Sequence, residues 1–197
     1  MEVTGDMTKG SKILIILVVI LVIILFPTVG SYNKMVKLDQ SVKQSESDID
    51  TQLQRRSDLI PNLIATVKGY AAQEKGIFTE LAEARAKLAG AQNLTQKAQA
   101  DTELSGTLSK LLVLVENYPD LKSNQNFRDL SVALEGTENR IGIARKDYNT
   151  TVAQYNAITR SFPNVIIAGI FNFDQKPYYK ASEGSKEVPK VDFSTVK

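Results

Sequence analysis

The stretch "FRDLSVALEGTENRIGIARKDYNTTVAQYNAI" (127–158) decides the fold. Phe127, Leu130, Leu134, Thr137, Ile141, Ala144, Tyr148, Thr151, Tyr155 and Ile158 recur at spacings that alternate between three and four residues. That is a heptad seam, the pattern of a long helix buried along one side. Ser123 or Asn124 offers a cap at its start and Pro163 a stop after its end. Working backwards, Met35, Leu38, Val42, Ser45, Ile49, Leu53, Arg56, Ile60, Leu63, Val67 and Tyr70 form a second seam, resumed by Ile77, Leu81, Ala84 and Leu88. Leu104, Leu108, Leu111, Val115 and Tyr118 form a third, ended by Pro119. Gly69 and Gly76 bracket one weak point, and "GAQN" (90–93) is another.

These lengths predict an all-α chain. Residues 36–72, 76–117 and 123–161 are each a rod of about 40 residues, roughly 60 Å if helical. Three such rods pack as an elongated up-down-up bundle, and a split of the middle rod near 90–95 gives four helices. No alternating runs or hairpin turns favour strands.

The chain begins differently. "ILIILVVILVIILF" (Ile13 to Phe26) is unbroken and apolar, and the uncharged stretch reaches Gly30. At 1.5 Å per residue, 18 residues cover roughly 27 Å, close to the hydrocarbon thickness of a bilayer. A transmembrane signal anchor is the favoured reading. A cleaved leader stays open, because Lys9 and Lys12 make a basic start and Thr28-Val29-Gly30 offers small residues near a cut. Lys34, Lys37 and Lys43 on the far side nearly balance Lys9 and Lys12, so the positive-inside rule gives only a lean. It places the N-terminus in the cytoplasm and the bundle outside a bacterial cell membrane, crossed once. The expected organisation is a tail (1–12), a transmembrane helix (13–31), a bundle domain (32–161), and an apolar segment with an extended polar tail (162–197).

Composition excludes much chemistry. Cysteine and histidine counts are both zero. There is no thiolate, no disulfide, and neither the commonest general base nor the commonest metal ligand. Lys plus Arg is 24 against 22 for Asp plus Glu, too balanced for a nucleic-acid binder. No catalytic residue, cofactor or metal is expected. Glu80/Glu83/Arg85 and Glu135/Glu138/Arg140/Arg145/Asp147 have helical spacing and read as solvated ion pairs.

"LQRRSDLIPNLIATVKGY" (53–70) stands out. Pro61 cannot donate to the carbonyl of Ser57, so a kink is expected there. Arg56 falls on the seam, where a leucine would be ordinary, and a charge on a seam needs a partner. Glu116, Glu135 and Glu138 are the candidates. Arg55, Arg56, Asp58, Pro61 and Asn62 are therefore the kink and register residues. "YNKMV", "YNTTV" and "YNAIT" (from 32, 148 and 155) echo one another, the last two a heptad apart, and read as tyrosine packing along a seam.

Several segments resemble the LemA family: "IDTQLQRRSDLIPNLIATVKGYAAQE", "AEARAKLA", "ENYPDLKSNQNFRDLSVALEGTENRIGIARKDYN" and "FPNVIIAGIFNF". The resemblance runs from about Tyr32 to Phe193. It implies a membrane helix followed by a helical bundle and no established enzymatic activity. Where the family often has His-Glu, this chain has Gln73-Glu74, which weakens any metal site there.

"FPNVIIAGIFNF" (162–173) is too short to span a bilayer and too apolar for a free surface. Phe162, Ile166, Ile167, Ile170, Phe171 and Phe173 are expected to contact another copy of the chain or the membrane, unless the segment folds back on the bundle. The function expected is a membrane-anchored, non-catalytic scaffold that self-associates or docks partner proteins of the membrane or envelope. An envelope-stress or proteolysis adaptor is the alternative, and a carboxylate enzyme a more distant one.

Overall fold

The computed structural model describes residues 9–180, with only the backbone given at 9, 12, 13, 16, 20, 21, 23, 24, 25 and 27. The described residues are helical, without strands. The elements are α1 (Lys9–Lys68), α2 (Lys75–Gly90), α3 (Leu94–Val115), α4 (Pro119–Ser123), α5 (Gln125–Arg160) and α6 (Asn164–Ile170). They form two compact units. One holds residues 9–44 and 150–177; the other holds 45–149 and 178–180.

The larger unit is a four-helix arrangement. The end of α1 contacts α2 antiparallel: Arg85 meets Ser57, and Lys68 lies over the Phe78 ring. α2 and α3 are antiparallel too, joined by Lys87–Glu103 and Glu80–Lys110. α3 runs parallel to α1, since Asp50 pairs with Lys97 and Arg56 with Asp101. α5 opposes α1, with Glu138 at Arg56 and Asn124 at Tyr70. The middle rod is thus a hairpin, and the expected up-down-up becomes up-down-up-down. The break falls at "GAQN", as the sequence suggests. Asn93 caps α3 by accepting from the Gln96 amide (2.9 Å), while the Gln96 side chain accepts from the Gln92 amide (2.8 Å). This reciprocal cap favours starting a new helix over continuing the old one.

Most seam residues are core. Ile49, Leu53, Ile60, Leu63, Val67, Leu81, Leu88, Leu104, Leu111, Phe127, Ile141 and Tyr148 are buried, and Tyr70 is exposed. Along α5 the buried stripe drifts to include Val152, Asn156 and Thr159, because a straight helix turns 3.6 rather than 3.5 residues. At the start of α5, Asn124 accepts from the Phe127 amide (3.1 Å) and is the cap.

In the smaller unit, Met35 of α1 packs against Ile167 and Ala168 of α6, with Tyr32, Ile158 and Phe173 around them. The segment after Phe162 therefore folds back in part.

The run Ile13–Phe26 lies on α1 without a break. Among the described residues no helix is long and apolar enough to cross a membrane; seven of that run's fourteen side chains lie outside them. The expected tails before Lys9 and after Lys180, Phe193 included, also lie outside the described residues.

Candidate functional site

Arg56 is the residue of "QRRSD" that turns inward. It is 5% exposed and Asp101 of α3 is fully buried. Its Nη1 donates to Asp101 Oδ1 at 2.9 Å and pairs with Glu138 Oε2 at 2.7 Å. The other Asp101 oxygen pairs with the Arg145 guanidinium of α5. Two arginines and two carboxylates from three helices thus meet with no net charge. Burial draws the Arg56 guanidinium below its ordinary value, opposed by Glu138. Glu138, at 47% exposed, forms the wet rim.

An aromatic closes the cluster from the C-terminal segment. The Tyr179 ring lies under the Arg145 guanidinium, 4.9 Å from ring centre to carbon. Asn149 grips the backbone of the same residue: its carbonyl accepts the Tyr179 amide (2.8 Å) and its amide donates to the Tyr179 carbonyl (3.0 Å). A side-chain amide here pairs as a peptide group would. Burial raises the Tyr179 hydroxyl pKa, against the lowering effect of Arg145.

The smaller unit repeats the device. Asn156, one heptad along α5, accepts from the Lys176 amide and donates to its carbonyl, both at 2.9 Å. Lys176 also pairs with Asp39 at 2.9 Å and lies over the Tyr155 ring.

Pro61 has a specific consequence. α1 continues through it, and its ring is exposed. The Ser57 carbonyl, deprived of its helical donor, accepts from Arg85 Nε of α2 at 3.0 Å. Ser57 is buried, so an unpaired carbonyl there would be costly.

Of the expected register residues, then, only Arg56 enters the interior. Arg55, Asp58, Pro61 and Asn62 are exposed, and Asp58 accepts from Gln54 at 2.7 Å. Glu138 is a partner as expected. The clusters read as solvated ion pairs need correction at Arg85 and Arg145, which reach interior groups because each stands beside a seam rather than opposite it. Asp101 was missed. Extending the third seam back from Leu104 by three residues lands on it, a signal present in the spacing. Seam spacing does not mark Asn149 and Asn156, which stand beside the seam tyrosines Tyr148 and Tyr155.

Gln73 donates to the Tyr118 hydroxyl and that hydroxyl to Glu74, both at 2.8 Å. Among the described residues no group of three or more Asp or Glu side chains could hold a metal ion. An open groove of about 330 Å³ runs beside α1 and α5 in the larger unit, with Ser45, Asp48, Arg140 and Asp147 on its walls. Ser45, Asp48 and Asp147 already have partners.

The fold and this cluster define a helical-bundle protein organised around an internal ion network. The LemA family matches residues 45–193, and the chain belongs to the LemA family. The match begins later than the resemblance at Tyr32 but ends at the same Phe193. Magnetosome protein MamQ of Magnetospirillum gryphiswaldense is 24% identical over 201 aligned residues, covering 88% of this chain and 74% of that protein. Magnetosome protein MamQ 2 of Paramagnetospirillum magneticum is 24% identical over 175, covering 76% of this chain. The chain spans 64% of that protein's length. Protein LemA of Metamycoplasma hominis is 22% identical over 171, covering 86% and 76%.

Proposed function

We propose that this protein is a single-pass, membrane-anchored helical scaffold that acts by self-association or by docking partner proteins, not by catalysis. The observation that carries the reading is the continuity of α1. One helix bears both the apolar run 13–26 and, from Met35 to Val67, the core seam of the bundle. An anchor joined to its domain by one helix, with no loop between them, suits a scaffold. The polar interior supports the same reading. Asp101 has both oxygens facing guanidinium groups, an arrangement that holds helices in place. Exposed Val113, Val132 and Ile143 on the larger unit offer apolar contacts to another copy or a partner. The names of these relatives, magnetosome protein MamQ and protein LemA, state no reaction, in keeping with a structural role. In this reading the bundle lies on the extracytoplasmic side of the cell membrane.

Alkaline carbonate extraction of cell membranes tests the anchor. The full chain is expected to stay in the membrane pellet, and a variant lacking residues 13–26 to leave it. A full chain that washes off with peripheral proteins would overturn the anchored reading.

A further inference from the structure

Residues 161–173 contain no charge. Within them α6 buries Ile167 and Ala168 on Met35. Its end is fixed by Asn172, at φ 56°, and by a bond from the Phe173 amide to the Ala168 carbonyl at 2.9 Å. This is a Schellman closure, with Phe173 packed back on the helix as that motif favours. The result is an aromatic group: Tyr32 lies 4.8 Å from Phe171 and 5.6 Å from Phe173, centre to centre. Most of the large side chains left outward are apolar. Phe162 is 81% exposed, Ile166 56%, Ile170 69% and Phe171 51%.

The height of this patch is informative. Tyr32 follows Gly30 by two positions and precedes Lys34, the first charge after the apolar run, by two. It stands about 9 Å beyond Phe26 along the helix. Phe26 and Val29 are themselves exposed, and Lys34 and Lys37 on the other side of Tyr32 are the first charges. Tyr32 and its two phenylalanines thus mark the level where apolar chain gives way to charge, the level at which aromatic belts sit in membrane proteins. A surface built for another protein has a polar rim around its apolar centre. This one has no charged residue from Ser161 to Phe173, and along α1 it continues into the apolar run.

We propose that α6 is a membrane-surface element, its exposed face submerged in the interfacial layer of the bilayer that holds α1, with Tyr32, Phe171 and Phe173 as its collar. Apolar helix faces enter that layer by about 5–10 Å, which the distance from Phe26 to Tyr32 matches. This rests on the anchored reading above. It gives the smaller unit two attachments to one bilayer, a span and a surface foot, and so fixes its tilt and rotation.

The absence of cysteine makes the test direct. Leu17→Cys, Ile166→Cys, Ile170→Cys and Val132→Cys, all exposed positions, are each labelled with a polarity-sensitive fluorophore. The full chain is reconstituted in vesicles of phosphatidylcholine and phosphatidylglycerol carrying spin-label quenchers either near the headgroup or at the chain end. The label at Leu17 should be quenched by the deep probe. Labels at Ile166 and Ile170 should be quenched by the shallow probe, roughly threefold or more above the label at Val132. Deep quenching at Leu17, with Ile166 and Ile170 no different from Val132, would overturn the surface foot and leave the anchor standing. Disulfide crosslinking through Ile166→Cys under that result would assign the face to a second copy. No quenching at Leu17 would instead overturn the anchor, and the surface foot with it.

Discussion

At Pro61, one missing hydrogen sets a requirement in another helix. Proline removes the donor for the Ser57 carbonyl, and Arg85 supplies a replacement from α2. Loss of Arg85 should therefore cost about 1–3 kcal/mol, the usual penalty for an orphaned buried acceptor. In a Pro61→Ala background an ordinary helical N–H returns, and the same Arg85→Met change should cost much less. Denaturant unfolding of the four chains of this cycle checks it, and equal costs in both backgrounds would show that the bond does not matter. The freed carbonyl was legible in the sequence; its partner was not, because Arg85 lies 28 residues on in a segment that looks like exposed ion pairs. Asp101 presents a second case. It balances two guanidinium groups while fully buried, so Asp101→Ala should destabilise by about 3–5 kcal/mol. Glu138→Gln, at the wet rim, should cost about 1 kcal/mol or less. Both are read from the same unfolding curves, and parity between them would contradict the picture of an inner and an outer carboxylate.

Among the elements, the seams told more than the connections. Spacing located α1, α5 and the core positions on them, since burial of one side leaves a periodic trace whatever the neighbours are. It could not say that the middle rod doubles back. That depends on local capping by Asn93 and Gln96 and on which faces α2 and α3 present to each other, and a single periodic row carries neither. The C-terminal segment was the least legible element. Residues 174–180 have no regular structure, yet Asn149 and Asn156 hold two of them by paired amide bonds, a contact between side chain and backbone that leaves no pattern in the gripped residues. Replacing Asn149 by Ala removes both bonds to Tyr179. Amide exchange at Tyr179 should then accelerate on the order of tenfold or more, as loss of about 1 kcal/mol per bond implies, while the α2 and α3 amides keep their protection. Unchanged exchange at Tyr179 would mean that stacking on Arg145 alone fixes the segment.

For the molecule as a whole, membership of the LemA family and the all-helical fold are established, and the task is inferred from how the parts are joined. Helix α1 belongs both to the apolar run and to the bundle, the interior charges are neutralised among themselves, and large apolar side chains remain on the outside. A chain built in this way has surface to offer. Its action should therefore depend on what assembles around it, and assembly can be weighed. The decisive measurement is the mass of the intact chain in mild detergent, by light scattering corrected for bound detergent. The scaffold account predicts a discrete species that is a multiple of the 21.7 kDa chain, stable on dilution. A protein that stays at the mass of one chain at every concentration, with no partner retained from the membrane, would contradict it.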